Sequence, residues 1–301
     1  MLVAVLSLKG SPGATTFTVA LAARWPAPSR VLVVETDPSG GDLGVRFSLS
    51  SAPGLVSLAA AARHGVDPEL VWRHTQRLPG GLPVLAAPPD AEQARAALSA
   101  LAPDPTDGPG VLRVAANQPG SVVVADCGRV DPGSPALPIV RSADVLVLLS
   151  HARAEDLAHL PRRLPAVGRW SPRPVLLLVG EGYSGAEVVR ELGVTPLGRV
   201  PHDPYGAAAL CGRPHTPRRW RHSPSRSALG RYAHEVAVDL AAHGRLPVPI
   251  PYQAGPAASS VPVAAWCPIP GVPPAAVSPY GLRPVPGAVP DRHEHGGGRA
   301  S

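Results

Sequence analysis

The sequence predicts an α/β fold, a doubly wound and mostly parallel sheet, on three observations. Short apolar runs rich in Val and Leu alternate with Ala/Leu-rich helical segments through most of residues 1–243. The apolar runs are continuous, the mark of strands covered on both faces. The first run also leads straight into a glycine-containing loop and a helix, which is how such sheets present a ligand site at the carboxyl ends of their strands.

The elements follow in order. Leu2–Leu8 is an unbroken apolar strand, and after the loop "KGSPGATT" the helical stretch Thr15–Ala23 begins. Val31–Glu35 is the second strand, cut off by "TDPSGG"; helices are predicted over Leu55–Arg63 and Pro68–Arg77. Leu82–Ala86 is a strand, followed by a helix over Ala91–Leu101. Val122–Asp126 and Val145–Ser150 are strands of Val and Leu, with a helix over Ala154–Leu164 after them. Val175–Val179, the helix Ala186–Leu192, the strand Pro196–Val200 and the helices Tyr205–Leu210 and Ser227–His243 complete the pattern. After Leu246 it stops: residues 247–301 hold 13 prolines and no helical period, which predicts a disordered, polyproline-leaning tail. The expected division is an α/β domain over 1–246 and a Pro-rich tail over 247–301.

Composition narrows the class of protein. The chain has 301 residues, enough for one large core, and its 40 prolines and 31 glycines imply that part of it is not packed. Cys127, Cys211 and Cys267 are too few and too widely spaced for a disulfide framework or a zinc site, so a reducing cytoplasm is expected. The His293/His295 pair is an expected non-site, because two exposed ligands hold a metal weakly. No charged leader or apolar run of spanning length is present, and the Pro-broken segment after Leu246 disfavours direct membrane insertion. The net charge of +6 is uneven, with six arginines and no acid between Arg213 and Arg231. Trp220 is the only aromatic residue there, which favours a solvated face over a nucleic-acid surface. The chain has a single lysine, Lys9, against 27 arginines, so a compact ammonium is wanted at that one position.

Lys9 opens the glycine loop. A strand, Gly10, Gly13, two threonines and a helix supply what a phosphate needs, backbone N–H groups converging at the positive end of a helix. Thr15 stands where a hydroxyl would ligand Mg²⁺, and Thr16 follows to contact an α-phosphate. Ala14 stands where such a loop normally carries its lysine.

These residues resemble the deviant Walker A motif of the MinD/ParA family, KGGxGKTT, with Lys9 as the opening signature lysine and Ser11 and Pro12 departing from the pattern. The resemblance covers residues 1–243 and implies a P-loop NTPase fold with ATP and Mg²⁺ as cofactors. It implies a phosphate cradle of Gly10, Ser11, Pro12, Gly13, Ala14, Thr15 and Thr16. Lys9 would reach the phosphates of a partner subunit, hence an ATP-dependent homodimer. "VLVVETDPSGGDL" resembles the second strand and switch I, giving Asp37 the orientation of the attacking water and placing Glu35 near Mg²⁺. "VVVADCG" resembles the Walker B strand and switch II, with Asp126 in the Mg²⁺ shell; the implied metal set is Thr15, Glu35 and Asp126. "PLGRVPHDPYGAAALCGRP" resembles the closing segment, so Pro201 and Asp203 would border the adenine. Gly180 and Glu181 replace the Asn with which the family reads that base.

Loss of the cation at position 14 predicts hydrolysis slower by a factor of about 10²–10³, with binding retained on amides and Mg²⁺. The degenerate loop and "GLPVLAAPPDAEQA" resemble the CpaE/TadZ branch, which implies a localisation hub for pilus or Flp-type secretion machinery, recruited to a pole or membrane by a protein partner. The competing expectation is a chromosome or plasmid partitioning ATPase that binds nonspecific DNA through Arg213–Arg231, weakly because three prolines break that stripe.

Overall fold

A computed structural model of the chain describes residues 1–102, 108–211 and 224–243. The first half contains β1 (Leu2–Ser7), α1 (Ala14–Ala23), β2 (Arg30–Glu35), α2 (Leu43–Arg46), α3 (Leu55–Ala62), α4 (Leu70–Arg73), β3 (Gln76–Arg77), β4 (Pro83–Leu85), α5 (Ala91–Leu101) and α6 (Val111–Ala116). It continues with β5 (Ser121–Arg129), α7 (Leu137–Ser142), β6 (Val145–His151), α8 (Ala154–Leu157), α9 (Leu160–Val167), β7 (Pro174–Val179), α10 (Gly185–Leu192), β8 (Gly198–Val200), α11 (Pro204–Leu210) and α12 (Ala228–His243). One sheet of eight strands has the order β3-β4-β2-β5-β1-β6-β7-β8, with every pair parallel except β3 with β4.

The predicted α/β class holds, and its cause is visible in β1. Successive strand residues point to opposite faces, so Leu2, Ala4 and Leu6 enter one apolar cluster and Val3 and Val5 the other. The first cluster is closed by α3 to α7 and α9, the second by α1 and α12. Burial on both faces is what the unbroken apolar runs encode.

Five segments depart from expectation. Within the predicted helix Pro68–Arg77, only Leu70–Arg73 is helical, and Gln76–Arg77 forms the antiparallel edge strand β3. The Gln76 amide explains it: Nε2 donates to the carbonyls of Ser50 and Pro53 and Oε1 accepts from the Ser50 N–H, a non-local anchor that overrides helix propensity. The predicted helix Ala154–Leu164 divides into α8 and α9, with Pro161 in the first turn of α9, where its missing N–H costs little. The helices α2, α6 and α7 were not expected; at four to six residues they are too short to show a period.

A bulge shapes the ligand end of the sheet. β1 and β5 pair Val5 with Asp126 but Ser7 with Arg129, so β5 carries an extra residue there, beside Gly128 at φ +57°. The segment 247–301, most of Arg213–Arg231, Cys267, His293 and His295 lie outside the described residues. No helix among the described residues is long and apolar enough to cross a membrane.

Candidate functional site at the phosphate loop

The loop joining β1 to α1 is set by glycine. Gly10 and Gly13 take φ +68° and +84°, the left-handed region that a side chain disfavours. Gly13 caps α1 and the first intrahelical bond runs from Phe17 N–H to the Gly13 carbonyl at 2.9 Å. No side chain caps this turn, so its leading amides are open to an anion. Lys9, Gly10, Ser11 and Gly13 are exposed, Pro12 is buried, and Thr15 and Thr16 are half-buried. Ala14 turns its methyl into the apolar cluster with Phe17 and Leu43. The loop is braced from behind by Arg163 of α9, which donates to the carbonyls of Leu8 at 3.1 Å and Val130 at 2.9 Å. A Cβ at Gly10 would lie 3.1 Å from Asp156 Oδ1, so the loop backbone rests on that carboxylate.

Three carboxylates meet the loop because β2 and β5 lie side by side next to β1. Asp126 is buried, accepts from the Gly128 N–H at 3.3 Å, and lies near enough to the Thr15 side chain to be influenced by it. Burial pushes its pKa up to about 7, against the lowering influence of the Thr15 hydroxyl and with the charges of Glu35 and Asp37 adding to the rise. Asp37 is also raised, first by burial, although the Ser39 N–H donates to it at 2.7 Å. Its carboxylate lies over the bulge, where a Cβ at residue 128 would fall 1.8 Å from Oδ2. The Thr36 hydroxyl donates to the Asp126 carbonyl at 2.9 Å and to Cys127 Sγ at 3.3 Å, and burial lifts that thiol to about 12, so Cys127 is an inert core residue.

Glu35, expected near Mg²⁺, makes three backbone contacts. Oε1 accepts from the N–H groups of Asp42 at 2.7 Å and Leu43 at 2.8 Å, and Oε2 from Ala87 N–H at 3.0 Å. Most of the acceptor capacity of a carboxylate is thereby used. Burial raises its pKa against those three amides. Glu35 therefore fastens the start of α2 and the end of β4 to β2.

Asp203 likewise has a structural task. Oδ1 accepts from Gly206 N–H at 2.8 Å and Oδ2 from Leu229 N–H at 3.0 Å, joining α11 to α12. It shapes the loop after β8, in which Pro201 is half-buried, and has no free oxygen aimed at a base. At the end of β7, Arg199 donates to the carbonyls of Gly180 and Tyr183, ordering the turn that carries Glu181.

Among the described residues no cluster of three or more His, Cys, Asp or Glu side chains is arranged to hold a metal by itself. Thr15 and Asp126, beside the buried charges of Glu35 and Asp37, fit a different ion: Mg²⁺, which takes one or two protein ligands and completes its shell with water and phosphate oxygens. Gly128, Thr36, Asp156 and Arg163 were not singled out from sequence, since each acts through a non-local contact.

No protein-family model and no curated protein matches the chain. Solved structures do. A ParA family ATPase from Chlorobium tepidum TLS matches with a TM-score of 0.61 at 16% identity, over 79% of this chain and 98% of that one. The septum site-determining protein MinD from Pyrococcus horikoshii OT3, complexed with Mg-ADP, matches at 0.58 and 16%, over 82% and 99%. A cobyrinic acid a,c-diamide synthase from Mycobacterium smegmatis, with bound ATP analogue and magnesium, matches at 0.53 and 19%, over 83% and 98%. The fold is thus the P-loop α/β fold of the MinD and ParA ATPases.

Proposed function

We propose that the chain is a MinD/ParA-like ATP-binding positional switch, a localisation hub with weak or absent hydrolysis that serves pilus or Flp-type secretion machinery. One observation carries it: the loop keeps its open amides, its Thr15–Asp126 pair and Lys9, while the residue at 14 is a buried methyl where a catalytic cation belongs. The nucleotides in two structures of the same fold support ATP and Mg²⁺ as the ligands. Bound Mg²⁺ would neutralise charge between the β- and γ-phosphates. The amides of the loop hold and orient the phosphates, Thr15 and Asp126 receive the metal shell, and Asp37 positions water. Without a cation at 14, charge developing in the transition state is poorly compensated, so binding outlasts turnover.

A switch needs two states, and Lys9 supplies the second by reaching the phosphates of a partner subunit. Light scattering with Mg·ATP tests this: the wild type should dimerise, and Lys9→Ala should remain monomeric with ATP affinity changed by no more than about threefold. An ATP-dependent dimer unaltered in Lys9→Ala would refute it.

The second reading, a partition ATPase, is favoured by the arginines of residues 213–231. It predicts tight, ATP-dependent binding to duplex DNA that weakens steeply with salt, at a log–log slope of about −5 for six phosphate contacts. That result would replace the hub with partitioning.

A further inference from the structure

A second cation approaches the phosphate loop from α2. Glu35 pins the first amides of that helix, and Leu43 is fully buried in the cluster that holds Ala14 and Phe17. Arg46, three residues on, shares the face of Leu43 and is carried toward the first turn of α1. Its Nη1 lies 3.6 Å from Cys211 Sγ, and the same sulfur lies 3.4 Å from Thr16 Oγ1. The guanidinium and the Thr16 hydroxyl therefore converge on one atom beside the cradle.

A cation in that position is repelled by the positive end of α1, whose first turn contains no acidic residue. An anion between them would turn the repulsion into two attractions. The partners Arg46 has now compete poorly: a thiol is a weak acceptor, and the pair with Asp42 is exposed on its acidic side. A planar fork of five donors with such partners suits phosphate oxygens.

We propose that Arg46 is a nucleotide-binding residue that reaches from α2 to clamp the α-phosphate together with Thr16, leaving the β- and γ-phosphates without the cation that Ala14 lacks. This rests on the nucleotide-binding reading and names a residue of that site. It also gives Glu35 a purpose, since the carboxylate positions the helix that bears the arginine.

The test is calorimetric titration of the full chain with Mg·ATP and with ADP. Arg46→Gln, which keeps most of the stem, should weaken both ligands alike by about 10- to 100-fold, with the melting temperature of the ligand-free protein unchanged. Arg46→Lys should recover part of the loss, because charge returns without the fork. A wild type that binds and an Arg46→Gln variant that binds equally well would overturn the assignment and leave the nucleotide site standing. A loss confined to ATP would overturn the α-phosphate placement. A wild type that binds neither ligand would overturn the nucleotide-binding reading and this assignment with it.

Discussion

Gly128 shows how closely single residues define the site. It occupies φ +57° and has the Asp37 carboxylate where a Cβ would stand, so an alanine there meets both backbone strain and overlap. Gly128→Ala should cost about 2 kcal/mol or more and lower the melting temperature by roughly 4 °C or more. Calorimetry of the ligand-free protein checks this, and an unchanged transition would mean that Asp37 is free to leave the bulge. The left-handed glycines of the loop, and the nearness of Asp37 and Asp126 to it, follow from short motifs with a fixed local geometry. The backbone contacts of Glu35 were not legible in the sequence, since two of its partner amides lie at the start of α2, whose period is invisible, and the third, Ala87, is 52 positions away.

Among the elements, α11 and α12 depend on one carboxylate. Burial alone would raise Asp203, but the amides of Gly206 and Leu229 and the Ser227 hydroxyl outweigh it and hold the pKa below its ordinary value. A folded-state pKa below the unfolded value means that the unfolded chain takes up the proton first. This contribution is present above about pH 4 and is lost as pH falls through the folded pKa. Asp203→Asn should therefore cost about 1 kcal/mol at pH 7, and the cost should shrink toward pH 3. Equal destabilisation at both pH values would show that shape and not charge holds the joint. The central strands were readable from their apolar runs, whereas β3 was not, since what makes it a strand is the Gln76 anchor to residues 50 and 53.

For the whole molecule, what matters is the sheet order. Placing β1 between β5 and β6, and β2 next to β5, brings the loop and the three carboxylates to one end. No local pattern encodes that order; it is set by which strands pair, with connections that cover both faces of the sheet. The described core closes with α12, whose Leu229, Ala233, Val236 and Leu240 are buried against the cluster of α1. Deleting residues 247–301, with their 13 prolines and no apolar period, should leave melting temperature and nucleotide affinity unchanged. A drop of several degrees would assign that segment a place in the core.

The account turns on a loop that binds Mg·ATP while lacking the means to cleave it. The direct measurement is bound and hydrolysed nucleotide in one sample, for the wild type and for Ala14→Lys. The predicted result is saturable Mg·ATP binding by both, with turnover near background in the wild type and about 10²-fold faster in the variant. Wild-type turnover as fast as that of an ATPase with the in-loop lysine, unchanged by Ala14→Lys, would contradict it.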